Sequence, residues 1–368
     1  MERRKILFVI PSLAGGGAER VFLQLLNHLN RERYEPFLAL GARRGEFLNE
    51  LSKDVEIFEM NAVRARGAVP ALIKIVRRLK PQTVCSTLGM NFATALAKPF
   101  FPRGTRTVLR EGSSPTAFLA DVARKSPARA EFYRQGYKYI YGFADSIICQ
   151  SDFMRDDIER NLQISAKKLH RIYNPVDFEQ ISKLSDEPTE EFFNPNLVRL
   201  LTVGRLAFEK AYDILLKAFA VVRITNPTAT LTFLGEGEER QSLESLARDL
   251  KLNGSVYFAG FQSNPYSYMK QADIFILSSR YEGFSNVIVE SLACGTPVVA
   301  TDCPSAVREV ITEGANGWLA ENENVASLAE KINRAIVEKS NLNAEAIRAE
   351  CEKRFAIGQI LPLYEKLF

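Results

Sequence analysis

Residues 280–295 read RYEGFSNVIVESLACG and follow the apolar run Ile274 to Leu277. A turn holding Gly283, Ser285 and Asn286 comes next, then Val287, Ile288, Ser291 and Leu292 at helical spacing, so the stretch describes a strand, a tight loop and a helix. In an open α/β sheet, ligands bind at such junctions. Ser285 is expected at the helix N-cap, where the loop N–H groups and the helix N-terminus suit a phosphate. Glu282 precedes the loop, and Glu290 follows Asn286 by one helical turn, on the same side of the helix. Carboxylates accept paired hydrogen bonds from sugar hydroxyls. An anion-binding loop between two of them points to a ligand with both phosphate and hydroxyls.

The segment VGRLAFEK, 203–210, supplies the matching cations. Leu200 to Val203 reads as a strand, and Gly204 is expected to let the backbone turn so that Arg205 and Lys210 stand near the strand end. Arginine holds a diphosphate in bidentate fashion and lysine acts as a point charge, so the two together can neutralise a leaving diphosphate.

The GRL-to-EK segment, FLGEGEER at 233–240, FAGF at 258–261, the Glu282-x7-Glu290 pair and ACGTPVVATD at 293–302 occur in that order. The series resembles family 4 retaining glycosyltransferases, α/β proteins of the GT-B fold with two doubly wound Rossmann-like domains facing each other across a cleft. The likeness runs from Ile6 to Trp318. It implies transfer of a sugar from a nucleotide diphosphate sugar with retained anomeric configuration. On that resemblance Arg205 and Lys210 hold the diphosphate, Glu290 the ribose, and Glu282 lies near the transferred sugar. The amides around Gly283, Phe284, Ser285 and Asn286 complete the donor site. Gly235 and Gly237 either let the nucleoside lie against backbone or serve packing, and Phe261 either sits near the base or packs. The stretch SRYEGFSNVIVESLACG and the REGSSP segment at 110–115 are similar to those of bacterial enzymes that extend polyprenyl-diphosphate-linked glycans. That implies a UDP-sugar donor, N-acetylgalactosamine or a related hexosamine, and a membrane-borne acceptor.

At 368 residues with 46% hydrophobic side chains, the chain has room for two domains with their own cores. We expect a first domain at 1–175 rejoined by a tail at about 352–368, a linker at 176–196 and a second domain at 197–351. Residues 1–175 carry a net +12 and the remainder −8, for +4 overall, so the first half is suited to an anionic surface. Arg and Lys cluster in RARGAVPALIKIVRRLK at 64–80, around Phe100, Phe101 and Arg103, and in FYRQGYKYIYGF at 132–143. Val69, Leu72, Ile73, Val76 and Leu79 make the first cluster an amphipathic helix, either laid on anionic headgroups or turned into the core. No nucleic-acid-binding motif accompanies the charge. The five cysteines, at 85, 149, 294, 303 and 351, form no CxxC pair, which favours reduced thiols in the cytoplasm. No apolar run reaches the roughly 18 residues of a membrane span, and the start MERRKILFVIPSLAGG reads as a buried strand feeding a glycine loop more than as a signal peptide.

The first half alternates strands and helices. Strands are expected at Ile6 to Ile10, Phe37 to Leu40, Val55 to Phe58, Thr83 to Ser86, Thr107 to Leu109, Ser146 to Cys149 and Ile172 to Tyr173. GGGAER lacks the Lys-Ser/Thr of a P-loop, and Arg20 stands where a dinucleotide fingerprint needs its third glycine. In the family it resembles, Gly16 and Gly17 would face the donor diphosphate and the acceptor; the alternative is a glycine turn needed only for strand-to-helix packing. Glu111, after a strand, would contact the transferred sugar or acceptor where relatives often carry a histidine or carboxylate. Its alternative is an ion pair with a nearby arginine. His28 and His170 both lie elsewhere.

The second half repeats the pattern, with strands at Leu200 to Val203, Thr230 to Leu234, Val256 to Phe258, Ile274 to Leu277 and Val298 to Ala300. Helices are expected at about 212–224, 238–250, 265–271, 286–294 and 325–338, and through the tail. No Asp-x-Asp motif or His/Cys cluster has metal-ligand spacing. The expected chemistry therefore uses no metal or other cofactor. An acceptor hydroxyl attacks the front face of the sugar as the diphosphate leaves, stabilised by Arg205, Lys210 and the helix N-terminus. Other readings are a UDP-sugar epimerase, a glycan phosphorylase or a catalytically silent binding subunit. The intact Arg205, Lys210, Glu282 and Glu290 set speaks against silence.

Overall fold

A computed structural model describes residues 3–62, 64–112, 114–189 and 196–368. The chain divides into two compact units, Met1–Val176 with Ile357–Phe368, and Asp177–Ala356. The first contains strands β1 (Arg4–Ile10), β2 (Tyr34–Leu40), β3 (Glu56–Glu59), β4 (Thr83–Thr87), β5 (Arg106–Arg110), β6 (Ser146–Cys149) and β7 (Leu169–Arg171). They form one sheet in the order β3-β2-β1-β4-β5-β6-β7, parallel throughout. A parallel sheet is covered on both faces, which explains why Ile6 to Ile10 is unbrokenly apolar and fully buried. Alternate side chains go to opposite faces. Ile6, Phe8 and Ile10 join a cluster with helix Gly17–His28 and tail residues Ile360, Leu361, Tyr364 and Phe368, while Leu7 and Val9 join one with Leu72 and Val76.

The second unit contains β8 (Val198–Val203), β9 (Ala229–Leu234), β10 (Val256–Phe258), β11 (Ile274–Leu277), β12 (Val298–Thr301) and β13 (Gly317–Ala320). Its sheet, also parallel, has the order β10-β9-β8-β11-β12-β13. Both sheets are doubly wound, and in each the strand order reverses once, beside β1 and β4 in the first and beside β8 and β11 in the second. The crevice at the carboxyl ends of such strands is where this architecture places ligands.

The structure departs from the sequence expectations in several places. The strand expected at Ile172 to Tyr173 lies earlier, at Leu169–Arg171, although Ile172 N–H still donates to Cys149 O at 2.9 Å. β13 was not anticipated, because Gly317-Trp318-Leu319-Ala320 is short and opens on glycine. The stretch expected to be linker includes helix Phe178–Ser185, capped by Asp177, whose carboxylate accepts from Gln180 N–H at 2.9 Å. That helix belongs to the second unit, where Asn264 Nδ2 donates to Leu184 O at 2.8 Å. Residues 190–195 of the acidic stretch, and Ser113 of REGSSP, lie outside the described residues. The return to the first unit comes at Ile357 rather than near 352, because Phe355 packs in the second unit, 5.7 Å from the ring of Phe284.

Helix Ala65–Leu79 spends its apolar stripe on the core. Ala68, Leu72 and Val76 are buried against the sheet, leaving Arg66, Lys74, Arg77 and Arg78 exposed. Among the described residues, no helix is long and apolar enough to cross a membrane.

Candidate functional site

The second unit's site forms where β8 and β11 run side by side, Ile274 opposite Leu200 and Phe275 opposite Leu201. Past their carboxyl ends, the segment after β8 supplies Gly204, Arg205 and Lys210, and the segment after β11 supplies Ser278 to Asn286. Lys210 Nζ lies 2.5 Å from Glu282 Oε1, with the side chains 17% and 14% exposed. Ser279 Oγ donates to the same carboxylate oxygen at 2.7 Å. Burial works against the Lys210 charge, but the Glu282 carboxylate outweighs it and raises the ammonium above its ordinary range. The ammonium is therefore held ready, charged and poorly hydrated.

The backbone bends at Gly204, as expected, directly after β8. Gly204 does not have a positive φ; its hydrogen leaves room for Lys210, whose Cε would lie 3.3 Å from a β-carbon there, and for the Tyr212 hydroxyl at 2.8 Å. Gly235 and Gly237 show the packing alternative at full strength. Added β-carbons would stand 2.0 Å from Gly204 O and 2.2 Å from Leu206 O, and Gly235 has φ +142°. The loops after β8 and β9 therefore touch backbone to backbone, with Leu206 N–H donating to Glu236 O at 2.9 Å. Phe261, just after Gly260, is 59% exposed. Arg205 reaches out from the strand end, 66% exposed, and pairs with Glu209 one turn on.

Ser285 holds the N-cap position of helix Asn286–Ala293 but does not cap it. Its backbone is left-handed, at φ 63°, and its buried hydroxyl has no hydrogen-bond partner. A buried, unpaired hydroxyl on a strained backbone is costly on its own, and such cost gathers where a ligand completes the bonding. Phe284 turns the other way, 2% exposed against Phe355, so its ring is core and only its backbone faces the loop. Asn286 and Glu290 are half-buried one helical turn apart, and Gly283 O accepts from Ala306 N–H at 3.3 Å.

In the first unit the residues at the carboxyl ends of β1, β4 and β5 form a second polar group. Gly15 takes φ +105°, Gly16 is the N-cap and Gly17 opens the helix. A β-carbon on Gly16 would strike the Glu19 carboxylate at 2.4 Å. Glu19 folds back onto its own N–H at this helix start, and burial raises its pKa against that bond and the pull of Arg110. Glu111 is 6% exposed, and among the described residues no cation forms an ion pair with it. Its Oε1 accepts from Asn91 Nδ2 at 2.9 Å and from the Tyr141 hydroxyl, and among the described residues no bond engages Oε2. Burial pushes its pKa up, outweighing both donors and Arg110. Arg110 is wholly buried and donates to Asn174 Oδ1 at 2.6 Å and Thr87 Oγ1 at 3.2 Å. Glu19, Asn91, Arg110, Tyr141 and Asn174 escaped the sequence reading. The one available signal was a charged pair, Arg110-Glu111, closing an apolar strand.

Two family profiles divide the chain between them. "Glycosyltransferase Family 4" matches residues 15–180 and "Glycosyl transferases group 1" matches 186–352. An uncharacterized glycosyltransferase of Haemophilus influenzae is 32% identical over 90% of this chain and 90% of its own. The chain belongs to glycosyltransferase family 4. A second relative of this glycosyltransferase is the N-acetylgalactosamine-N,N'-diacetylbacillosaminyl-diphospho-undecaprenol 4-alpha-N-acetylgalactosaminyltransferase of Campylobacter jejuni. It is 29% identical over 93% of this chain and 95% of its own. The fold is GT-B. The crystal structure of the Anabaena protein HepE in complex with UDP-glucose superposes with a TM-score of 0.78 at 24% identity, covering 99% of each chain.

Proposed function

We propose that this glycosyltransferase moves a hexose or N-acetylhexosamine, with N-acetylgalactosamine the first candidate, from a UDP-sugar to a hydroxyl of a polyprenyl-diphosphate-linked glycan, retaining anomeric configuration. The observation that carries the reading is the half-buried Lys210–Glu282 pair past the carboxyl ends of β8 and β11, where the strand order reverses, with the unpaired Ser285 hydroxyl on the same loop as Glu282. The Campylobacter relative, named for a lipid-linked glycan substrate and an N-acetylgalactosaminyl product, supports the choice of acceptor and sugar.

In the proposed reaction the acceptor oxygen bonds to the anomeric carbon from the face that the diphosphate leaves. The bond from that carbon to the diphosphate oxygen breaks, and the hydroxyl proton passes to the departing diphosphate. Lys210 shares its charge between Glu282 and the diphosphate, and Arg205 exchanges Glu209 for phosphate oxygens. Charge stabilisation by these cations needs no metal in this scheme. Glu290 binds the ribose, Glu282 the sugar hydroxyls, and the amides of Gly283 to Asn286 with Ser285 Oγ the phosphate and sugar. In the other unit, Glu111 orients the acceptor hydroxyl through Oε2 while Asn91 and Tyr141 fix Oε1, and Gly16 and Gly17 leave room for the substrates.

We place the enzyme on the inner face of the cell membrane. Helix Pro127–Gly142 and the residue after it expose Phe132, Tyr139 and Phe143, at 75%, 69% and 40%, on one side. Arg129 lies within one turn of Phe132 toward that side, a composition suited to an anionic bilayer surface.

The test is UDP release from a panel of UDP-hexoses and UDP-N-acetylhexosamines, with and without a membrane extract holding polyprenyl-linked acceptors. Release that needs one donor and the extract is expected. No release with any donor from folded protein overturns the assignment.

A further inference from the structure

Lys210 sits on a short 3-10 turn, Phe208–Lys210, followed by Ala211 in the left-handed region at φ 51°. Such a turn has little internal bonding to fix it. Its three successive carbonyls are instead held from the segment after β11. Phe208 O accepts from Arg280 Nη1 at 2.5 Å, Glu209 O from Arg280 N–H at 2.8 Å, and Lys210 O from Ser278 Oγ at 2.7 Å. The Arg280 guanidinium lies 4.1 Å from the centre of the Phe208 ring. Its Nη2 reaches Asp213 at 2.9 and 3.1 Å, and its Nε reaches Glu323 at 2.9 Å. At 11% exposure this side chain bridges the turn, the first residues of the following helix and the loop after β13. It does so two residues before Glu282, the partner of Lys210.

We propose that Arg280 is a positioning residue for donor binding: it fixes the Phe208–Lys210 turn so that the Lys210 ammonium stands at Glu282, where the donor diphosphate must find it. The inference rests on the donor reading of Lys210 given above. The planar fork matters as well as the charge, because one guanidinium reaches a carbonyl, two carboxylates and a ring, a geometry no ammonium reproduces. Arg280 itself touches no substrate; its effect passes through Lys210.

A double-mutant cycle read by UDP affinity separates positioning from general support of the fold. Lys210→Met and Arg280→Met are each expected to weaken UDP binding about tenfold, and the double variant about tenfold rather than about a hundredfold, because a displaced turn cannot mislay a cation already removed. Arg280→Lys, which keeps a charge between Asp213 and Glu323, guards against misfolding of the methionine variant. It is expected to weaken UDP binding severalfold in the parent protein and leave it unchanged in the Lys210→Met background. Additive losses, or wild-type affinity in both Arg280 variants, overturn the inference alone. Failure of the unaltered protein to take up UDP, or an unchanged affinity in Lys210→Met, overturns the donor reading and the inference with it.

Discussion

Glu111→Gln is the most informative single change in the first unit, because it removes a charge while keeping an acceptor at the same place. The glutamine carbonyl can accept from Asn91 Nδ2 and from the Tyr141 hydroxyl as the carboxylate does. What it loses is the cost of holding a carboxylate at 6% exposure, which Arg110 offsets only in part. Because burial raises the folded-state pKa above the unfolded value of about 4.3, the group's contribution to stability is complete below that value and is lost as pH rises through the folded pKa. The variant should therefore unfold at a higher temperature than the parent at pH 8, and the difference should shrink as pH falls toward about 4. Tyr141→Phe gives the magnitude. A hydrogen bond to a charged group contributes about 1.5–3 kcal/mol and a neutral one about 0.5–1.5 kcal/mol, so the change should cost more in the parent than in the Glu111→Gln background once pH exceeds the folded pKa of Glu111. At about 2–4 °C per kcal/mol for a unit of this size, scanning calorimetry across pH reads both effects. A Glu111→Gln protein that melts below the parent at pH 8 refutes the reasoning, since Arg110 would then be stabilising the carboxylate by more than burial costs.

Phe284→Ala should lower stability by about 3–5 kcal/mol in urea unfolding, as expected for a ring buried against Phe355 rather than one facing ligand. Gly237→Ala, whose new methyl would meet Leu206 backbone at 2.2 Å, should destabilise by more than about 2 kcal/mol, while Gly89→Ala, with nothing within 4 Å, should stay within about 0.5 kcal/mol. Asp273 is pushed up by burial but held below the ordinary carboxylate range by hydrogen bonds from Arg199 and Lys339. Its stabilising effect is thus present above the unfolded pKa of about 3.9 and lost as pH falls through the lower folded value, so Asp273→Asn should flatten the acid limb of the stability curve.

The two doubly wound sheets were legible because buried parallel strands are written as short unbroken apolar runs, and ILFVI, LLTV and IFIL have no other economical reading. β13 escaped because it is only four residues long and glycine opens it. Lys210 and Glu282 could be assigned to one donor site from the ordered motifs, although 72 residues separate them, because strand order brings β8 beside β11; their ion pair was not legible in the sequence. Local pattern misled at Ser285, whose residue type announces an N-cap but whose backbone turns left-handed and leaves the hydroxyl unpaired. It was silent at Arg280 and Arg110. Each is buried by partners distant in sequence, Asp213 and Glu323 for one and Asn174 for the other, and no spacing rule reaches so far.

The first unit finishes its core with residues from beyond the second. Phe368 sets its ring edge-on to Phe8 at 5.8 Å, and Tyr364 is wholly buried in the same cluster. During synthesis, then, the sheet that emerges first from the ribosome is left with part of one apolar face uncovered until the second sheet has been made. The unit translated later is free to fold to completion earlier. A released 1–176 fragment should accordingly bind hydrophobic dyes and holdase chaperones, and a 357–368 peptide supplied in trans should reduce both.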